Sequence, residues 1–147
     1  MIRDLKISSR YNDGDYLSKN LDWHVEDSPW KAHQIDKIIK RNKLSPSTIC
    51  EVGCGAGQIL KLLSLNSTYA EVDFTGYEIS DDAFELCCTR TSEHLTYLKK
   101  DLLEDEKKYD ITLCIDVFEH IENYMGFIRG LREKGEFKIF HIPLDLS

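Results

Sequence analysis

Two short stretches carry the residue types and spacings that could do chemistry. The first is Ile49-Cys50-Glu51-Val52-Gly53-Cys54-Gly55-Ala56-Gly57-Gln58-Ile59-Leu60. An apolar run with an acid near its end breaks into three alternating glycines, then resumes with helical apolar spacing. This pattern reads as strand, tight turn and helix start. Glycine has no Cβ, so the backbone of such a turn can approach a bound ligand closely. The spacing is not that of a dinucleotide fingerprint, because Gln58 stands where the third glycine would fall. The second stretch is Ile115-Asp116-Val117-Phe118-Glu119-His120-Ile121. Asp116, Glu119 and His120 fall at i, i+3 and i+4, which puts them on one helical face if a helix has begun. A histidine beside carboxylates is the equipment of a general base. The plainer alternatives are charge complementarity at a helix N-terminus for Glu119 and packing or capping for His120.

These residues need elements to hold them. Residues 1–27 are polar and aromatic, with Tyr11, Tyr16, Trp23 and His24, and predict no regular element. Asp27-Ser28-Pro29 is a helix start, and Trp30, Ile35, Ile38 and Ile39 keep helical spacing to Lys43. Strands are predicted at Thr48–Val52, Phe74–Ile79, Leu95–Lys99, Tyr109–Asp116 and Glu136–Ile142. Helices are predicted at Gly57–Leu65, from the Ser80-Asp81-Asp82 cap to about Arg90, and over Val117–Lys134 with Gly135 as its C-terminal stop. The fourth run is almost wholly apolar, as suits a strand covered on both faces. Strands alternating with helices imply an α/β fold, a doubly wound and mostly parallel sheet with right-handed crossovers. Trp30 is expected in the core.

Composition narrows the function. The chain has 147 residues and a formal net charge of −7, which speaks against non-specific binding to nucleic acid. No apolar run reaches the ~20 residues of a membrane span. The charged start Met1-Ile2-Arg3-Asp4-Leu5-Lys6 is not a secretory signal, so a cytoplasmic setting is expected. Cys50, Cys54, Cys87, Cys88 and Cys114 form no C-x-x-C pair and read as reduced, mostly buried thiols. No metal site is expected.

On Glu51, the three glycines and the Asp116–His120 stretch, the chain resembles the class I S-adenosylmethionine-dependent methyltransferases, over about residues 28–147. The resemblance implies a Rossmann-like sheet of order 3-2-1-4-5 and a ligand at the carboxyl ends of its strands. It implies S-adenosyl-L-methionine as methyl donor, with S-adenosyl-L-homocysteine as product, and a small-molecule acceptor reacting through O, N or C. Gly53, Cys54, Gly55 and Gly57 would approach the methionine moiety, and Glu51 would neutralise its ammonium. Glu78, 25 positions beyond Gly53, would accept the ribose hydroxyls, with Ile79 packed on the adenine. Asp101 would accept from the adenine amino group and the Leu102 N–H would reach a ring nitrogen. For Asp101 a turn cap is the plain alternative. Ile115 and Asp116 would line the sulfonium region, and His120, then Glu119, would face the acceptor as candidate base. His141 is expected to be structural.

Length and the resemblance together predict one domain over residues 1–147: an irregular segment 1–27, an N-terminal helix 28–44 and a cofactor-binding core 45–147. Two further strands follow the fifth in the family, so a fragment is expected. Without them the fifth strand, with Phe137, Ile139, Phe140 and Ile142, is an exposed apolar edge through which copies of the chain could associate. Three other readings stay open: a module that binds the cofactor without catalysis or only scaffolds a partner, a truncated and inactive fragment of an enzyme, and a nucleotide-binding oxidoreductase, against which Gln58 argues.

Overall fold

The computed structural model describes residues 25–144. The expectations placed on Tyr11, Tyr16, Trp23 and His24 lie outside the described residues. A single 3-10 turn, Val25–Asp27, leads into α1 (Ser28–Arg41). The chain then alternates: β1 (Thr48–Val52), α2 (Gln58–Ser64), β2 (Asp73–Tyr77), α3 (Asp81–Cys88), β3 (Leu95–Leu98), β4 (Tyr109–Ile115), α4 (Tyr124–Leu131) and β5 (Gly135–His141). The five strands form one parallel sheet of order β3-β2-β1-β4-β5. This is the predicted doubly wound, Rossmann-like arrangement. No helix among the described residues is long and apolar enough to cross a membrane.

Alternation along the strands divides the core between the two faces. Ile111, Leu113 and Ile115 of β4 join Ile49 of β1, Ile35 and Ile39 of α1, and Leu60 and Leu63 of α2 on one side. Cys114, Cys50 and Val52 join Phe127 and Leu131 of α4 on the other. Burial on both faces is why β4 reads as an unbroken apolar run. The strand ends at Val52 and Ile115 therefore emerge from a packed centre, which fixes the residues that follow them.

Four expectations are corrected. The segment after β4 is not one helix from Val117. A 3-10 turn, Phe118–His120, comes first, and α4 begins only after Asn123, whose side chain accepts from the Gly126 N–H at 3.0 Å. Asp116 has φ +55°, in the left-handed region, so no helix has started there. Gly135 is not a helix stop but the first residue of β5, paired with Tyr109. A Cβ at Gly135 would stand 2.5 Å from the Thr112 hydroxyl, so close packing against β4 selects the glycine.

Trp30 is 56% exposed, because it lies off the α1 stripe made by Lys31, Ala32, Ile35 and Ile39. Ile139 is buried on β5. The exposed apolar residues of that strand are Phe137 and Phe140. The α1 start also differs in detail: Asp27 occupies the cap position but makes no capping hydrogen bond. Its carboxylate instead pairs with Lys31 at 2.7 Å. All five cysteines are free; Cys88 is exposed and the other four are buried.

Candidate active site

A cavity opens at the carboxyl ends of β1, β2 and β4, where strand order reverses. Its floor is the glycine turn. Gly53, Gly55 and Gly57 all have positive φ, +62°, +56° and +76°. At Gly57 a Cβ would also fall 2.5 Å from the Tyr97 ring, whose hydroxyl donates to the Gly57 carbonyl at 2.6 Å. Both backbone sign and space therefore require glycine there.

The amides of this turn are largely engaged within the chain. Cys54 N–H donates to the Tyr77 carbonyl at 3.0 Å, and Gly57 N–H to the Cys54 carbonyl at 2.9 Å. Gly55 N–H donates to Glu78 Oε2 at 2.8 Å, and Glu78 Oε1 accepts from Ile79 and Ser80, each at 2.8 Å. Glu78 thus stitches the β1 turn to the β2 end before any ligand arrives. A carboxylate has about four acceptor positions. Three are used, which leaves room for one ligand hydroxyl rather than two. Burial pushes the Glu78 carboxyl up, only partly offset by those three N–H groups.

Glu51 is the opposite case. It is 2% exposed, lines the cavity, and its Oε2 has no hydrogen-bond partner. Burial holds its carboxyl well above the usual range, reinforced by Cys87, Glu78 and Asp116 and opposed by Lys31. A buried carboxylate oxygen without a donor is costly, and a cation or donor brought into the cavity would remove that cost.

Asp116 organises the far wall. Its Oδ2 accepts from the Lys31 ammonium of α1, and its Oδ1 faces His141 Nδ1 of β5 at 2.5 Å. Its own N–H donates to the His141 carbonyl at 3.0 Å. Burial pushes the Asp116 carboxyl up, but Lys31 and His141 outweigh it and hold it below the usual range. Burial likewise pulls the Lys31 ammonium down, and the bonds to Asp116 and Asp27 outweigh it and hold it up.

The cavity gathers most of the predicted residues: Glu51, Gly53, Cys54 and Gly55 from the first motif, Glu78 and Ile79 after β2, Asp101 and Leu102 after β3. Ile115, Asp116 and His120 complete its wall. Gly57 and Glu119 do not line it. Asp101 Oδ1 caps the following 3-10 turn by accepting from Leu103 N–H at 2.9 Å, so the cap reading and the cavity position fall on one side chain. Asp116, Glu119 and His120 share no helical face, because Asp116 is turned toward Lys31 and His141. Glu119 stands 3.8 Å from His120, beyond hydrogen-bond length.

Sequence reading missed Lys31, a lysine 5% exposed at the cavity wall. One signal was available: Lys31, Ile35 and Ile39 recur every fourth residue, so a charge occupies a place on the buried stripe of α1. A second cysteine contact was also unforeseen: Cys54 Sγ lies 3.7 Å from Cys87 Sγ beneath the turn.

Comparison with known proteins identifies the fold and the family. The ubiquinone biosynthesis O-methyltransferase of Rickettsia bellii (strain OSU 85-389) is 30% identical over 111 residues, covering 71% of this chain and 45% of that protein. The enzyme of the same name from Rickettsia typhi is 32% identical over 101 residues, covering 66% and 40%. The chain thus spans less than half the length of these relatives. Among solved structures, the plantazolicin methyltransferase BpumL in complex with S-adenosylhomocysteine superposes with a TM-score of 0.69 at 21% identity, covering 88% of this chain and 52% of that one. Magnesium protoporphyrin IX methyltransferase from Synechocystis PCC 6803, with bound S-adenosylmethionine, gives 0.60 at 22% identity, covering 92% and 70%. These two likenesses concern the fold. A family model described as a methyltransferase domain matches residues 27–135, from the start of α1 to the start of β5, and the chain belongs to that family.

Proposed function

We propose that this chain binds S-adenosyl-L-methionine in the cavity above the glycine turn and transfers its methyl group to an O, N or C nucleophile of a small molecule. The observation that carries the reading is the unpartnered Glu51 oxygen, buried at the end of β1 in a cavity that Lys31 also lines. An amino-acid tail is a zwitterion, and these two side chains offer one charge of each sign: Glu51 for the ammonium, Lys31 for the carboxylate. Glu78 takes one ribose hydroxyl on its remaining acceptor position. Asp101 and Leu102 take the adenine edge, and Ile79, 37% exposed, offers an apolar face to the ring.

When bound, the cofactor supplies an electrophilic methyl group on a sulfonium. The chain's own share is positioning and exclusion of water. Val52, Ile115 and Tyr77 are buried residues of the cavity's lining. His120 lies on the acceptor side with Glu119 beside it. The relatives are named as O-methyltransferases, which favours an oxygen acceptor. The reading includes a cytoplasmic setting, supported by the five free cysteines, no nucleic-acid partner, and association of copies through the exposed edge of β5.

Calorimetry with S-adenosylhomocysteine and with NAD tests the reading. Binding of the first and not the second is expected. NAD binding as tight as S-adenosylhomocysteine would overturn it. Binding of S-adenosylhomocysteine without turnover of any hydroxyl, amine or carbon acceptor would leave a cofactor-binding module.

A further inference from the structure

Glu51 stands apart from the other acids of the cavity. Its backbone lies opposite Gly76 of β2 on one side and Leu113 of β4 on the other, so it sits in the middle of the sheet. It is buried, lines the cavity, and its Oε2 accepts no hydrogen bond. The remaining carboxylates of the lining are all engaged. Glu78 accepts from three backbone N–H groups, Asp101 from the Leu103 N–H, and Asp116 is held by Lys31 and His141. Both lysines of the lining are paired elsewhere: Lys31 with Asp116 and Asp27, and Lys100 with Asp105 at 3.7 Å. Glu51 is thus a carboxyl whose donor has to come from outside the chain.

The charged groups that face Glu51 are Glu78 after β2, Asp116 after β4 and Lys31 of α1. Cys87 of α3 spends its S–H on the Gly55 carbonyl at 2.8 Å. Burial pushes the Cys50 and Cys114 thiols up to about 12, and pushes the Cys54 thiol and the Tyr97 phenol up as well, so none of these adds a charge near neutral pH. A negative Glu51 would therefore be a third carboxylate beside two others and one shared lysine, out of reach of water. Burial first, then Cys87, Glu78 and Asp116, favour its protonated form, with Lys31 opposing. An ammonium seated on Oε2 reverses this balance, because it brings both a donor and an opposite charge.

Resting on the methyl-donor reading above, we propose that Glu51 is uncharged in the ligand-free protein and gives up its proton as the ammonium of the donor's amino-acid tail seats against it, so that it selects ligands bearing that tail and couples their binding to the release of one proton. The carboxyl O–H bond breaks, its proton passes to cavity water and on to buffer, and the ammonium keeps its own three. A nucleoside without the tail leaves Glu51 protonated and draws no proton from it. Below the pH at which the ligand-free carboxyl titrates, affinity for a tail-bearing ligand rises up to about tenfold per pH unit, and above it the rise levels off.

The test is calorimetry on the full chain with S-adenosylhomocysteine and with methylthioadenosine, which is the same nucleoside without the amino-acid tail. Titrations in phosphate and in Tris, whose ionisation enthalpies differ, give the protons released per ligand. At acid pH S-adenosylhomocysteine should release close to one proton more than methylthioadenosine, and the excess should shrink as pH rises. In Glu51→Gln the excess should vanish and the two affinities should run parallel with pH, while methylthioadenosine binds as in wild type. Equal release by the two ligands in wild type, or an excess that persists in Glu51→Gln, would overturn the proposal. The ligand-free charge is read directly. The carboxyl-carbon chemical shift of Glu51, assigned by its loss in Glu51→Gln, should titrate above the ordinary glutamate value. Titration at or below that value would overturn the proposal whatever the ligands do. Failure of the cofactor reading is separate: it appears as wild-type protein that binds neither ligand, whereas failure of the proposal alone appears as binding of both with equal proton release.

Discussion

Lys31 of α1 and Asp116 at the end of β4, 85 positions apart, are ion-paired at the cavity wall, with the lysine side chain 6% exposed and the aspartate 19%. The pair ties the first helix to the centre of the sheet. Lys31→Met should destabilise the chain by about 2 kcal/mol, below the 3–5 kcal/mol of a fully buried pair because His141 still holds Asp116. The pH dependence follows from the two shifts. The Asp116 carboxyl is held low, so its contribution is whole above the ordinary aspartate value and is lost as pH falls through the depressed one. The Lys31 ammonium is held high, so its contribution is whole below the ordinary lysine value and is lost as pH rises through the elevated one. Thermal unfolding of both proteins across pH should show the gap narrowing at each extreme.

Glu51 should behave in the opposite sense to Asp116. Its folded carboxyl titrates above its unfolded value, so the folded state holds the proton more tightly. That contribution is whole below the unfolded value and is lost as pH rises through the folded one. Glu51→Gln removes the charge that burial opposes. Ligand-free Tm should rise at alkaline pH, by about 3–5 °C per kcal/mol recovered. S-adenosylhomocysteine affinity should fall at least about tenfold, or ~1.4 kcal/mol. Unchanged affinity would remove Glu51 from the ammonium site.

Glu78→Ala deletes the acceptor of three backbone N–H groups as well as a ligand contact. Hydrogen bonds to a charged group are worth ~1.5–3 kcal/mol each, in part replaced by water. Both Tm and S-adenosylhomocysteine affinity should fall. A folded variant with wild-type affinity would show that Glu78 serves the turn alone.

Gly57→Val should cost about 2–4 kcal/mol, from left-handed backbone strain and from overlap with the Tyr97 ring. Gly55→Val, with φ +56° at the cavity floor, should abolish cofactor binding. Calorimetry on the folded fraction checks the second, and denaturant unfolding the first.

The edge of β5 gives a paired test of association. Phe137 is 43% exposed, so Phe137→Lys should weaken any self-association with little loss of Tm. Ile139 is buried, so Ile139→Lys should unfold the chain instead. Sedimentation at rising concentration, read beside Tm, distinguishes the two.

Sequence alone determined the sheet and the position of the glycine turn. β1 falls at the predicted Thr48–Val52, and the other strands differ by a residue or two at their ends. Such features are local: apolar periodicity sets the elements, and a run of glycines between strand and helix leaves few conformations to choose from. The residues after β4 were less legible. Their i, i+3, i+4 spacing suggested a helical face, but Asp116 adopts a left-handed backbone so as to meet Lys31 and His141, and both partners lie far away in sequence. Trp30 and Ile139 were misjudged for a related reason. Apolar type marks a residue as fit for burial, and only the rotation of α1 and the pleat of β5 against their neighbours decided which side turned inward. The unpartnered oxygen of Glu51 and the three amides gathered by Glu78 are likewise sums over several strand ends. Tertiary structure decided them, because burial and hydrogen-bond satisfaction are properties of the surroundings rather than of the residue.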